Sequence, residues 1–194
     1  LCNHSAHPAI FPKELILKNG LVIVFTGDGK GKTSAAMGVA LRAIGHRMYV
    51  SVVQFIKSRS SSTVGEARAA ERLAPELEFV SLGRGFVSCC GDTTPLAEHK
   101  KTAAEAMQHA RQRMFSGAWD VLILDEIITA TALGLVDIAD VLAFVRSKPP
   151  KLHLILTGRD AHPDLIAVAD MVTEMRSVKH PYENGIPARK GIDF

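Results

Sequence analysis

The sequence predicts an α/β fold, with a mostly parallel central sheet and helices packed on both of its faces. Short apolar, β-branched runs alternate along the chain with longer helix-forming stretches, as they do when strand–helix units feed a parallel sheet. The first of these runs ends in a turn rich in glycine and lysine that leads straight into a helical stretch. The chain has 194 residues, enough for one domain that buries its own core without disulfide or metal staples.

Residues 1–20 are polar and proline-punctuated and are expected to form an N-terminal arm, with 21–194 as a single domain. Residues 21–25 (Leu-Val-Ile-Val-Phe) are too uniformly apolar for a half-exposed strand and suit a parallel strand buried on both faces. Residues 33–44 are rich in Ala, Met and Leu and stop at Gly45, which predicts a helix with a glycine end. A second strand is expected over 48–55, then a mobile serine-rich loop over 58–63. A shorter strand follows at 77–82. Residues 83–95 show no period and are expected to be an extended loop. Residues 95–116 predict a long helix with Pro95 in its first turn and Gly117 beyond its end. Further buried strands are expected at 121–124 and 152–156, with no internal repeat or domain linker.

Composition narrows the function classes. A net charge of +3 without a dense Lys/Arg block does not mark a nucleic-acid binder, and 6% aromatic residues argue against an aromatic-rich carbohydrate or single-stranded nucleic-acid surface. Cys2, Cys89 and Cys90 form neither a disulfide framework nor a Cys-x-x-Cys pair, so a reducing cytoplasm is the expected location. No apolar run approaches the ~20 residues of a membrane span, and residues 1–7 lack the basic-then-apolar shape of a secretion signal. The first residue is not Met, so a few residues are expected to precede it.

The strongest motif is Thr26-Gly27-Asp28-Gly29-Lys30-Gly31-Lys32-Thr33, placed between a buried strand and a helix. Glycines leave backbone N–H groups free to surround a phosphate at the positive end of the helix. Lys32 supplies a cation to phosphate oxygens, the Thr33 hydroxyl suits a magnesium ion, and Ser34 joins the nucleotide-binding set. In the general pattern G-x-x-x-x-G-K-[ST] the first glycine would fall at Thr26, yet it stands one place later, at Gly27. The cradle is effectively one residue short, so nucleotide binding follows from it while ordinary γ-phosphoryl transfer does not.

Val121-Leu122-Ile123-Leu124-Asp125-Glu126 is an apolar strand ending in two acids. Such acids help to hold magnesium in phosphate-loop proteins, although acids also favour the start of a helix. Which of the two touches the metal is open. Ligands of parallel sheets sit at the carboxyl ends of strands. That places Arg159, after Leu156-Thr157-Gly158, near the phosphates, and Gln54 and Lys57 at the site rim.

With these segments in hand, the chain resembles the ATP:corrinoid adenosyltransferases of the phosphate-loop type. The likeness is carried by the loop itself, by Arg42-Ala43-Ile44-Gly45-His46, and by Val52-Val53-Gln54-Phe55-Ile56-Lys57. Leu124-Asp125-Glu126-Ile127 and Leu156-Thr157-Gly158-Arg159 continue it, and the tail closes it with Lys179-His180-Pro181-Tyr182-Glu183-Asn184-Gly185-Ile186 and Ala188-Arg189-Lys190-Gly191-Ile192. The motifs keep one order from about residue 20 to the end, and the short loop is itself a feature of that family.

The resemblance implies a RecA-like fold, a homodimer, ATP with Mg²⁺ or Mn²⁺, a reduced corrinoid substrate and a reduced flavoprotein as electron donor. It implies attack by Co(I) on the ribose 5′ carbon with loss of triphosphate, so the protein positions two substrates and neutralises the leaving group. Lys30, Lys32, Thr33 and the metal serve the second task, and Arg42 is carried over as a nucleotide contact. Family members often hold Phe-x-Trp in the loop after the third strand; here Gly85-Phe86-Val87-Ser88 stands there, and Phe86 inherits the role of crowding the lower corrinoid face. Cys89 and Cys90 are expected to be inert thiols, and His99 and His162 ordinary helix or loop histidines. Two other functions fit the loop alone: a nucleotide or small-molecule kinase, and a RecA-like ATPase module. Both would yield ADP.

Overall fold

The computed structural model describes residues 19–58, 65–85, 87 and 92–193. Six strands form one sheet: β1 (Val22–Thr26), β2 (Val50–Ser58), β3 (Leu77–Gly83), β4 (Val121–Asp125), β5 (His153–Thr157) and β6 (Met171–Glu174), in the spatial order β3-β2-β4-β5-β1-β6. Every neighbouring pair is parallel, which is the RecA-like α/β arrangement. The helices are α1 (Lys32–Gly45), α2 (Gly65–Arg72), α3 (Leu96–Phe115), α4 (Ile127–Ala132), α5 (Ile138–Arg146) and α6 (Pro163–Val168), with a short 3₁₀ turn at Pro181–Asn184.

Strand side chains alternate between faces, so each central strand feeds two cores. Val22, Val24, Leu122, Leu124, Leu154 and Leu156 pack on the side of α3, α4 and α5. Ile23, Phe25, Val121, Ile123 and Ile155 pack toward α1 and α2. This double burial is why the central strands have no polar alternation. Ala36, Ala40 and Ala43 face the sheet from α1, and Ala103, Ala106, Ala110 and Met114 from α3. Small residues at helical spacing bring both helices close to the strands.

Pro95 stands just before α3 as its N-cap, with an extended backbone, rather than inside the first turn. Proline disfavours the helical conformation in the residue before it, so it sits naturally at the boundary. β6 is a four-residue edge strand, exposed along its whole length, and nothing in its composition announced it. Most of the expected arm, the serine-rich loop from residue 59 and much of the segment after β3 lie outside the described residues. No described helix is long and apolar enough to cross a membrane.

Candidate functional site

The sheet gathers its polar residues at the carboxyl ends of β1, β2, β4 and β5. Beyond Thr26 the chain turns through Gly27 (φ 96°) and Gly31 (φ 109°) into α1. Both values are left-handed, but Gly27 and Gly29 also answer to crowding. A Cβ on Gly27 would lie 2.4 Å from the Met175 carbonyl oxygen, and one on Gly29 2.7 Å from the Arg176 carbonyl carbon. The loop is laced to this strand end: Gly29 N–H donates to the Met175 carbonyl (2.7 Å) and Met175 N–H to that of Thr26 (2.8 Å). β6, short as it is, therefore forms the wall against which the loop is shaped.

Lys32, the first residue of α1, is only 7% exposed. Its Nζ donates to the carbonyls of Gly27 (2.6 Å) and Gly29 (2.9 Å), tying the ammonium into the loop. Burial holds its pKa below the ordinary lysine value, and the charge of Arg159 pushes the same way, against the opposing pull of Glu126, Asp28 and Asp125.

The floor of the site is organised by Asp125, which is fully buried. Oδ1 accepts from the Thr33 hydroxyl (2.8 Å) and the Thr157 hydroxyl (2.7 Å), and Oδ2 from the Gln54 amide (2.8 Å). Gln54 Oε1 in turn accepts from Ser81 (3.1 Å). Strand register creates this meeting, since Gln54 lies opposite Asp125 in the β2–β4 pair. A buried carboxylate needs such donors to remain tolerable.

Glu126 follows in a left-handed conformation (φ 63°), a costly geometry for a residue with a side chain. It is held there by its N–H, which donates to Thr157 Oγ1 (3.0 Å), and by Oε2, which accepts from Thr129 (2.5 Å). Thr129 also accepts from the Arg159 N–H (2.9 Å). The turn carries Glu126 into a cleft of about 780 Å³ above the loop.

Asp28, Gly29, Lys30, Gly31, Lys32, Thr33, Ser34, Glu126 and Arg159 all line this cleft, so the structure brings most of the expected residues together. Gln54 corrects its expectation: it is 1% exposed and lies beneath the cleft, because Asp125 and Ser81 satisfy its amide there. Arg42 is not brought to the cleft; it is exposed near the end of α1, roughly 15 Å along the axis from Lys32 at 1.5 Å per residue. Phe86 and the side chain of Lys57 lie outside the described residues. His99 is buried and pairs with Asp92 (3.0 Å), while His162 caps α6, both structural placements.

Sequence reasoning missed Thr157 and Thr129, although Thr157 ends a strand beside Gly158-Arg159. It also missed that the tail reaches the loop. Pro181, Ile186, Arg189 and Asp193 line the cleft, and Asp193 pairs with Lys30 while accepting from the Arg189 N–H (2.7 Å). Among the described residues no group of three or more His, Cys, Asp or Glu side chains is placed to hold a metal. Thr33 and Glu126 instead present hard oxygen ligands to the cleft, above the buried Asp125, the type that suits an ion also bound by phosphates and water.

The site thus gathers a glycine loop, buried and exposed cations, and carboxylates at one end of the sheet. Comparison with known proteins places it in a family. The corrinoid adenosyltransferase of a Sinorhizobium species is 38% identical, over 91% of this chain and 81% of its own length. That of Escherichia coli strain K12 is 37% identical, over 91% of this chain and 87% of its own. The flagellar accessory protein FlaH of Methanocaldococcus jannaschii superposes with a TM-score of 0.51 at 16% identity, over 81% of this chain and 71% of that one, a likeness of fold alone. The family model for ATP:corrinoid adenosyltransferase BtuR/CobO/CobP matches residues 18–194, taking in the loop, the acids and the tail, and this chain belongs to that family.

Proposed function

We propose that this protein transfers the 5′-deoxyadenosyl group of ATP to the cobalt of a reduced corrinoid, releasing inorganic triphosphate, in the making or salvage of adenosylcobalamin. The observation that carries this reading is the family match over residues 18–194. The short loop supports it, because a tightened cradle suits a triphosphate that leaves whole.

In the step, a cobalt–carbon bond forms at C5′ as the C5′–oxygen bond breaks, with the electron pair leaving on the triphosphate. Co(I) carries no proton to remove, so no general base is required. The chain's work is positional and electrostatic. The loop amides, Lys30, Lys32 and Arg159 are arranged to hold and neutralise three linked phosphates. Thr33 and Glu126 would hold Mg²⁺ or Mn²⁺, with Asp125 orienting Thr33 from below. When bound, that ion supplies further positive charge to the phosphate oxygens.

The family resemblance supports a homodimer in the cytoplasm, a reduced flavoprotein donor and a one-domain body behind an N-terminal arm. It also supports Phe86 crowding the lower corrinoid face. Phe86→Ala should slow turnover from Co(II) corrinoid more than from pre-reduced Co(I); equal losses would remove that role. The function itself is tested by incubating the protein with ATP, magnesium and chemically reduced corrinoid and identifying the products. Triphosphate with a light-sensitive alkylated corrinoid is expected. ADP or orthophosphate with unalkylated cobalt would instead favour a kinase or ATPase.

A further inference from the structure

Glu126 and Arg159 follow the ends of the neighbouring strands β4 and β5, one anion and one cation facing the same cleft. The Thr129 hydroxyl, on half-buried Thr129 of α4, joins the two segments. It accepts from the Arg159 N–H (2.9 Å) and bonds Glu126 Oε2 (2.5 Å). The direction of both bonds is fixed. A backbone N–H can only donate and a carboxylate can only accept, so the hydroxyl's one proton is committed to Glu126. The approach is close by construction. A Cβ on Gly158 would lie 2.4 Å from the Thr129 nitrogen and 2.8 Å from Thr129 Oγ1, so glycine lets the Arg159 segment reach the hydroxyl.

This arrangement leaves Glu126 little freedom. Its backbone is held at φ 63°, with its N–H on Thr157 Oγ1 (3.0 Å). Thr129 occupies its Oε2, and among the described residues no hydrogen bond engages Oε1. The side chain therefore offers the cleft one carboxylate oxygen rather than two. That count matters to an ion. Magnesium demands a near-ideal octahedron of oxygens at roughly 2.0–2.1 Å, and the two oxygens of one carboxylate are too close together to fill two of its corners. Calcium, with roughly six to eight ligands at 2.3–2.6 Å in a flexible geometry, readily takes both.

Resting on the reading that Glu126 holds the metal beside the triphosphate, we propose that Thr129 is a positioning residue that sets which ion accompanies ATP. By engaging Oε2 it holds Glu126 to single-oxygen coordination and so favours magnesium over calcium. Thr129 does not itself line the cleft, so it acts through Glu126. Hydrogen-bond partners behind a metal ligand fix that ligand's orientation. Here the same hydroxyl also carries the Arg159 amide, so ion choice and the placement of the arginine depend on one atom.

The test is isothermal titration of ATP into the full chain with saturating magnesium, saturating calcium or EDTA, in the parent, Thr129→Val and Thr129→Ser. No corrinoid is present, so turnover does not enter the measurement. In the parent, magnesium–ATP should bind roughly tenfold more tightly than calcium–ATP. Thr129→Val frees Oε2 for the ion, and the preference should shrink to within about twofold. Thr129→Ser keeps the hydroxyl and should keep the parent's ratio. Where valine lowers the unfolding midpoint, Thr129→Ala serves as a second hydroxyl-free variant and should give the same ratio as valine. A merely structural role would weaken both complexes alike and leave the ratio in place; that result, or equal binding of both complexes by the parent, overturns the proposal. A parent that binds ATP as well in EDTA as with magnesium would sink the metal reading and the proposal with it, before any variant is compared.

Discussion

Replacing Thr157 by valine probes the buried centre of the site with almost no change of shape. Thr157 is fully buried, and valine matches its volume while removing the hydroxyl. That hydroxyl donates to Asp125 Oδ1 (2.7 Å) and accepts from the Glu126 N–H (3.0 Å). The first bond ends on a buried charge and is worth about 1.5–3 kcal/mol; the second contributes about 0.5–1.5 kcal/mol. Asp125 keeps Thr33 and Gln54 as donors, so the carboxylate is weakened rather than orphaned. The expected loss is about 2–4 kcal/mol, which for a chain of this size lowers the melting temperature by roughly 5–15 °C. Thermal and urea unfolding followed by circular dichroism read it directly. Thr157→Ser is the control: it restores the hydroxyl and gives up one methyl, leaving a deficit of about 1 kcal/mol. A valine variant within about 0.5 kcal/mol of the parent, or a serine variant as unstable as valine, would refute the idea that this hydroxyl ties β5 to the acidic pair.

Gly27→Ala must fit a Cβ 2.4 Å from the Met175 carbonyl oxygen at φ 96°. Left-handed strain and overpacking together should cost about 2–5 kcal/mol and weaken ATP binding measurably. Alanine at Gly185, also left-handed but open to space, should cost only about 1–2 kcal/mol, and equal losses at the two sites would contradict the crowding argument. Lys32→Ala should abolish turnover by weakening triphosphate binding; near-normal activity would remove the loop assignment. In the parent, ATP affinity should fall on the alkaline side with a midpoint below 10.5, because burial depresses the Lys32 pKa. The sign for folding is opposite: the buried ammonium costs stability at neutral pH, and that cost is relieved as pH rises past its folded pKa toward 10.5. A binding midpoint at or above 10.5 would contradict the burial of this charge.

The amino-acid sequence by itself determined the parallel α/β architecture, the strand–loop–helix at Gly27–Thr33 and the acidic end of β4. These are local: uniform apolar runs, glycine spacing and a lysine–threonine pair carry their chemistry within a few residues. Tertiary structure alone decided what those residues touch. Gln54 moved from an expected rim position to a buried partner of Asp125 because of β2–β4 register, a relation between segments 71 residues apart. Asp193 reaches Lys30 across 163 residues, and the exposed edge strand β6 shapes the phosphate loop through backbone bonds that carry no side-chain signature. Periodicity reports which face of an element is buried, whereas pairing across the sheet and enclosure of a cavity depend on contacts distant in the chain.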